Sequence, residues 1–157
     1  MNIDAEQWET SPRHERPDEL VRYRPSAKLD KAGLRLGLSD QGYWVVIGPS
    51  SATELRDGTS PIFLLPLLQM SRTEALSALE TGLRAHSAQL DALDHFPIES
   101  LVVTGLESGA EHWSSMALAW AAEMAPTPRL AEALGLLSKS GATQAIRHRA
   151  QKIRTGL

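Results

Sequence analysis

Apolar residues recur along this chain with two different periods, and the change of period lies near residue 70. In 34–38 three leucines alternate with other residues, which is typical of a half-buried strand. The run 43–47 that follows is aromatic and β-branched, as strands prefer. Between them 39–42 has Ser at its first position and Gly at its last, a combination common in turns. This pattern predicts an antiparallel hairpin.

A second turn signal follows at Asp57-Gly58. Residues 62–64 would then add another strand, which Pro61 would confine to the edge of a sheet because proline cannot donate to the ladder. We therefore expect a small N-terminal antiparallel β-ribbon within 33–65.

From residue 71 the period becomes helical. Ser71 and Glu74 match a capping box, and leucines spaced three and four apart continue from there to residue 93. His86 occupies one slot of this leucine stripe and is expected to be a hydrogen-bonded residue at the core edge. The spacing predicts one helix over 72–93.

Four further helices are predicted, with starts near 98, 111, 128 and 142. Pro97 suits a helix N-terminus, and the second of these helices carries Trp113 and Trp120 on a broad apolar arc that predicts a central position. Thr127 is a suitable N-cap for the third. The β-branched run 102–104 leaves a strand open as an alternative to the first.

These elements predict a mostly helical α+β protein, in which a small N-terminal antiparallel β-ribbon precedes a stack of about five helices. Residues 1–19 are polar and show no apolar periodicity, so they are expected to form a disordered or loosely docked tail. Residues 20–157 are expected to form a single domain, with the ribbon region in 33–65 and the helical stack in 71–157.

The predicted helix starts repeat at an offset of about 30 residues, as expected of two tandem helix hairpins. With that offset, a central Trp-bearing helix and the closing IRHRAQKI helix, residues 97–157 resemble short HEAT-like helical repeats. The family normally has three or more units, so the helix over 72–93 would serve as a cap. The resemblance implies a scaffold that binds proteins, and it implies no catalytic residues.

Composition removes several classes of chemistry. The 157 residues include no cysteine, so disulfides, thiolate metal sites and cysteine nucleophiles are excluded. No apolar run approaches the roughly 20 residues that a membrane span needs, and the first 20 residues lack the pattern of a signal peptide. We therefore expect a cytoplasmic protein that does not associate with membranes.

No catalytic motif is complete. Ser108 stands one place too late for G-x-S-x-G, and His112 lacks the second histidine of H-E-x-x-H. No two histidines have the spacing that would aim both at one metal. We predict no catalytic residues, no metal and no cofactor. A small enzyme with a site formed by 48–60 and His95 or His112 remains the alternative.

Charge is unevenly distributed along the chain. The formal net charge is −3, yet 139–157 contain no acidic residue. The last predicted helix therefore presents a basic surface, and we predict that this surface binds a partner. Its predicted contact residues are Arg147, His148, Arg149, Lys152 and Arg154.

These features together favour a non-catalytic protein-binding module, for example a bacterial immunity-type or regulatory protein. The expected partner is another protein with an acidic surface. Weak nucleic-acid binding through the basic helix 142–155 is a second alternative. It is disfavoured because the chain is acidic overall and no aromatic residues interleave with the arginines.

Overall fold

A computed structural model describes residues 8–85, 90–125 and 127–156, and in these ranges an antiparallel sheet precedes a set of helices. The strands are β1 (Glu9–Pro12), β2 (Leu20–Leu29), β3 (Leu34–Ser39), β4 (Trp44–Ile47) and β5 (Ala52–Glu54). The α-helices are α1 (Arg72–Ala85), α2 (Ile98–Glu107), α3 (Glu111–Ala121), α4 (Pro128–Ser140) and α5 (Gln144–Gly156). Two 3₁₀ helices lie at Ile62–Gln69 and Leu90–His95. The predicted α+β architecture is confirmed.

The strands follow chain order in the sheet, each antiparallel to its neighbours. The predicted hairpin is confirmed as β3 and β4, with Leu38 opposite Trp44. In its turn the Ser39 hydroxyl accepts a hydrogen bond from the Tyr43 amide (3.1 Å). Gly42 has a φ of 86°, a left-handed conformation that favours glycine. Local turn chemistry therefore sets the register of this hairpin.

Strand β2 contains a β-bulge, since its pairing with β3 shifts between Pro25 and Ala27. One extra residue in a strand reverses the face to which the following side chains point. Before the bulge, β2 contributes Tyr23 to one face of the sheet, and after it Ala27 and Leu29 point to the other. A single strand therefore supplies two separate apolar clusters.

The smaller cluster lies on the face of the sheet that the helices do not cover. Its buried members are Val21, Tyr23, Val45, Ile47 and Ala52. The sheet curls so that its two ends meet there: Arg13, just after β1, forms a parallel bridge with Ala52 of β5. The His14 amide also donates to the Ala52 carbonyl (3.0 Å). We refer to this junction as the seam, and it is what shields the smaller cluster from water.

The larger core lies between the other face of the sheet and the helices. Trp44 on β4 donates its Nε1 hydrogen to the Ala92 carbonyl (2.8 Å) and meets Phe96 edge to face. Helix α1 crosses β2 at Gly82, where a Cβ atom would overlap the carbonyl oxygen of Ser26. The absence of a side chain at Gly82 therefore allows α1 to approach the bulge closely.

The last four helices form two antiparallel pairs. Helix α2 packs against α3 and α4 packs against α5, while α2 also contacts α4 and α3 also contacts α5. At α4 the Thr127 hydroxyl accepts from the Leu130 amide (3.1 Å), which confirms the predicted N-cap. The observed starts lie within three residues of those predicted, and the strand alternative for 102–104 is wrong because these residues lie within α2.

Two other predictions differ from the structure. Residues 62–64 are not an edge strand but belong to the 3₁₀ helix Ile62–Gln69. Most of the apolar residues in this helix are buried, whereas an edge strand would bury only every second residue. The helix predicted over 72–93 is α-helical only to Ala85, and 90–93 belong to the second 3₁₀ helix. His86 lies outside the described residues.

Part of the segment expected as a tail is an element of the sheet. Glu9–Pro12 form β1, paired with the first residues of β2. The Ser11 and Tyr23 hydroxyl groups are 2.7 Å apart, in hydrogen-bond contact. Backbone pairing and polar contacts hold this strand in the sheet. Its residues therefore do not show the apolar alternation by which a strand is predicted from sequence.

Gly82→Ala tests the contact between α1 and the bulge. Alanine normally stabilises a helix interior relative to glycine by about 1 kcal/mol, so a loss of stability would come from the overlap with Ser26. We expect the variant to lose about 1–3 kcal/mol of unfolding free energy in urea denaturation. Thr81→Ala, at an exposed neighbouring position, is the control. A stabilised Gly82→Ala would contradict this packing.

The two tryptophans of α3 provide a second test of the core. Trp120 is buried and donates its Nε1 hydrogen to the Met70 carbonyl (2.9 Å), whereas Trp113 is only partly buried. Trp120→Ala should cost about 3–5 kcal/mol. Trp113→Ala should cost clearly less because less of its surface is shielded from water. Equal urea midpoints for the two variants would show that α3 does not bury this face.

Candidate functional site

The predicted basic surface belongs to α5, the last helix of the second pair. Thr143 caps this helix by accepting a hydrogen bond from the Ile146 amide (3.1 Å). Ile146 and Ala150 are buried in the core. The remaining circumference of α5 carries the five predicted cations.

Two of these cations lie against α4. Arg147 is half-buried, and its Nη1 donates to the carbonyl of Gly141, which terminates α4 (2.8 Å). The guanidinium of Arg154 lies over Gly135, where an added Cβ would be 3.3 Å from Cζ. These arginines therefore contribute to the packing of the last helix pair.

The other three cations are exposed, as Arg154 is. Arg149 faces α3, and its Nη1 is 3.4 Å from the Ser115 carbonyl, a long hydrogen bond. Lys152 follows three residues later, next to Arg149 on the helix surface, and is exposed. His148 is exposed as well. The structure thus brings Arg149 and Lys152 together and separates them from Arg147 and Arg154.

The charge of α5 is not neutralised within the part of the chain that the structure describes. The described ion pairs use cations between Arg13 and Arg129, and none involves a residue of α5. The C-terminal half of a helix is a favourable place for cations. The exposed members still attract anionic groups from solution or from a partner.

An apolar depression of about 300 Å³ lies near the links of the two helix pairs. It is lined by side chains from α2, α4 and the links, among them Leu106, Leu136 and Ala142. Leu136 is 56% exposed, which is common for a single surface leucine. The depression therefore does not by itself indicate a ligand.

A polar cleft of about 340 Å³ lies at the seam of the sheet, between 13–19 and 52–56. At its base is Glu54, whose side chain is only 1% exposed. Its Oε1 accepts hydrogen bonds from Arg13 Nη1 (3.1 Å) and Arg56 Nε (2.6 Å). Arg13 also pairs with Glu19 (3.4 Å), so the cleft holds a network of alternating charges.

Glu54 is held as a carboxylate. Burial acts to raise its pKa, but the Ser39 hydroxyl and the guanidiniums of Arg56 and Arg13 outweigh this effect, so the pKa lies below its ordinary value. A buried carboxylate held between two arginines joins the two ends of the sheet. We interpret this network as a structural closure of the seam.

This cleft does not bring together the residues that the enzyme alternative requires, which are 48–60 with His95 or His112. Residues 52–54 and Arg56 line it, but His95 and His112 do not. The histidine that does line it is His14, whose Nδ1 is 3.5 Å from the Ser51 hydroxyl. His112 lies on α3, with its ring edge to face with Trp113. Within the described ranges, no group of three or more His, Asp or Glu side chains could hold a metal ion.

Sequence reasoning missed the seam network because its members are far apart in the chain. Arg13 and Glu54 are 41 residues apart, and no local spacing connects them. Only Glu54 and Arg56 are close in sequence, and an acid and a base two residues apart are too common to indicate a site.

Comparison with family models, with curated proteins and with solved structures finds no significant match to this chain. Among the described helices, none combines the length and the apolar character needed to cross a membrane.

Glu54→Gln tests the closure of the seam through its pH dependence. A depressed carboxyl pKa stabilises the fold above the pKa of the unfolded chain, near 4.5, and this stabilisation is lost as the pH falls through the native value. At pH 7 the variant should lose about 1–3 kcal/mol in urea denaturation. The deficit should shrink below pH 4.5. Glu132→Gln, an exposed acid on α4, is the control, and a pH-independent deficit would contradict the assignment.

Proposed function

We propose that this chain is a non-catalytic, cytoplasmic protein-binding module, in which cations of α5 contact an acidic surface on another protein. In this proposal 97–157 form two HEAT-like units, with α1 as a cap. The arrangement of the helices supports it, because α2 packs against α3 and α4 against α5, and the two pairs contact each other through α2 with α4 and α3 with α5. We propose that the module is a small regulatory or bacterial immunity-type protein.

One observation carries the proposal: α5 has exposed cations without acidic partners in the described chain. Arg149 and Lys152 are the pair best placed for a partner, since both are exposed and adjacent on the helix. Arg147 and Arg154 contact α4 and would act mainly by supporting α5. Exposed rim charges accelerate association with a complementary surface more than they raise its affinity.

Protein is favoured over nucleic acid as the partner. A nucleic-acid surface needs several cations in one continuous patch, often with aromatic residues that stack on bases. Here the cations of α5 are distributed over different sides of the helix, and the chain carries a net charge of −3. The enzyme alternative has weaker support, because His95 and His112 do not line the seam cleft.

The proposal predicts a partner whose association depends on two specific cations. The immobilised parent chain is incubated with an extract of its source cells, and captured proteins are identified by mass spectrometry and purified. Arg149→Ala/Lys152→Ala should lower the association rate of the genuine partner by about 10-fold at low salt, and less at high salt. Lys28→Ala/Arg84→Ala, which removes two exposed cations elsewhere, should leave the rate unchanged.

Two outcomes would contradict this function. An association rate that the α5 double variant does not change would exclude these cations as the contact. Micromolar binding of mixed-sequence DNA or RNA, measured by fluorescence anisotropy, would favour the nucleic-acid alternative if it fell steeply with salt and was abolished in the same variant.

A further inference from the structure

The outer surface of α3 lies between two other elements. On one side is α5, with Arg149 reaching the Ser115 carbonyl. On the other side is the end of the 3₁₀ helix Ile62–Gln69 and the following residue, where Met70 accepts a hydrogen bond from Trp120. Two adjoining depressions of about 270 and 550 Å³ lie along this surface, and both are lined by Met116. We refer to this combined surface as the α3 groove.

The centre of the α3 groove is apolar and includes a small side chain. Met116 and Ala119 line it, and Ala119 is exposed while Met116 is half-buried. They lie on the side of α3 opposite its buried residues, at about 100° per residue. Small side chains permit close approach of another backbone, and methionine adapts its shape to different apolar partners.

The sides of the α3 groove carry cations that lack an acidic partner in the described structure. On the α5 side, Arg149 reaches Ser115, which lines the groove, and Lys152 is exposed on α5 three residues later. Arg72 lines the opposite side, and its Nε is buried without a hydrogen-bond partner among the described residues. A buried donor left without a partner costs free energy, which a bound acceptor would recover by drawing the guanidinium toward it. Two acids also line the groove, Glu111 and Glu123, one toward each end of α3.

We infer that the α3 groove binds an amphipathic helix of the partner that has an apolar stripe and acidic residues along its flanks. This inference rests on the proposed function and specifies which part of the partner docks. The apolar stripe would lie over Met116 and Ala119, a common mode of helix recognition. Glutamates on its flanks would reach Arg149 and Lys152 on one side and Arg72 on the other. The 11 residues of α3 extend about 16 Å, the length of three turns of the docked helix.

The probe for this inference is a fluorescein-labelled helical peptide of about 18 residues, long enough to exceed α3 in length. It has leucines at i, i+3, i+4 and i+7 and glutamates on both flanks. A second peptide has lysine in place of each glutamate, and a third has the first composition with the leucines dispersed around the helix. Binding to the full chain is measured by fluorescence anisotropy at low and at high salt.

The protein variants separate shape from charge. Ala119→Trp fills the centre of the groove, and Arg149→Ala/Lys152→Ala removes the cations of one side. Each should weaken binding of the glutamate peptide by about 10-fold or more. Ala85→Trp, at an exposed alanine of α1, is the matched control and should bind like the parent. Thermal melts of all variants should agree with the parent within a few degrees, because the changed positions are exposed.

The expected result is preferential binding of the glutamate peptide over both other peptides, with loss in Ala119→Trp. No binding of the glutamate peptide to the parent would overturn the inference, as would equal binding by Ala119→Trp or equal affinity for the lysine peptide. A parent dimer that Ala119→Trp dissociates in sedimentation would assign the groove to a second copy instead.

The groove and the proposed function fail in different ways. If the purified partner needs Arg149 and Lys152 but binds Ala119→Trp normally, the groove is wrong and the proposed function stands. If the α5 double variant binds the partner as the parent does, the proposed function fails, whatever the peptide shows.

Discussion

The close contact between the β2 bulge and α1 is the constraint on which the two parts of the fold depend. The bulge at Ser26 directs the first half of β2 into the smaller cluster and the second half into the main core. Gly82 lets α1 approach that bulge without a side chain between them. A shift of the register at this point would expose apolar residues on both faces of the sheet, because each residue displaced along a strand changes face. The contact between α1 and the bulge therefore fixes the position of the helices relative to the sheet.

The seam follows from the same arrangement. Once the bulge directs Val21 and Tyr23 away from the helices, these residues need another cover, and five buried residues are too few to support a second layer. The curled sheet supplies the cover by bringing Arg13 to Ala52. At the seam, Glu54 accepts hydrogen bonds from Arg13 and Arg56, so a buried carboxylate joins the two ends of the sheet where apolar contacts alone do not. Removing one partner of such a network leaves an uncompensated buried charge.

Features that depend on residues close together in the sequence were predictable, and features that depend on tertiary contacts were not. The turn at 39–42 and the N-cap at Thr127 depend on neighbouring residues, and both were predicted correctly. Strands β1 and β2 were not predicted, because β1 is polar and the bulge interrupts the alternation of β2. In the same way, helical spacing identified the cations of α5 but not which neighbour each would contact. That depends on α4 and α3 lying on opposite flanks of α5, which is a property of the packing.

Under the proposed function, this difference in neighbours would separate cations that stabilise the fold from cations that contact the partner on a single helix. Arg147 donates to Gly141 at the end of α4, so its charge is already used in holding the last helix pair together. Arg149 makes only a long hydrogen bond to Ser115, and Lys152 is exposed, so both can move toward a partner at little cost to the fold. Because long side chains lose conformational entropy when they are fixed, cations that are still mobile bind an acidic helix less tightly than fixed ones would. In the proposed complex their main effect would be on the rate of encounter, while the apolar centre at Met116 and Ala119 would determine how long the complex lasts.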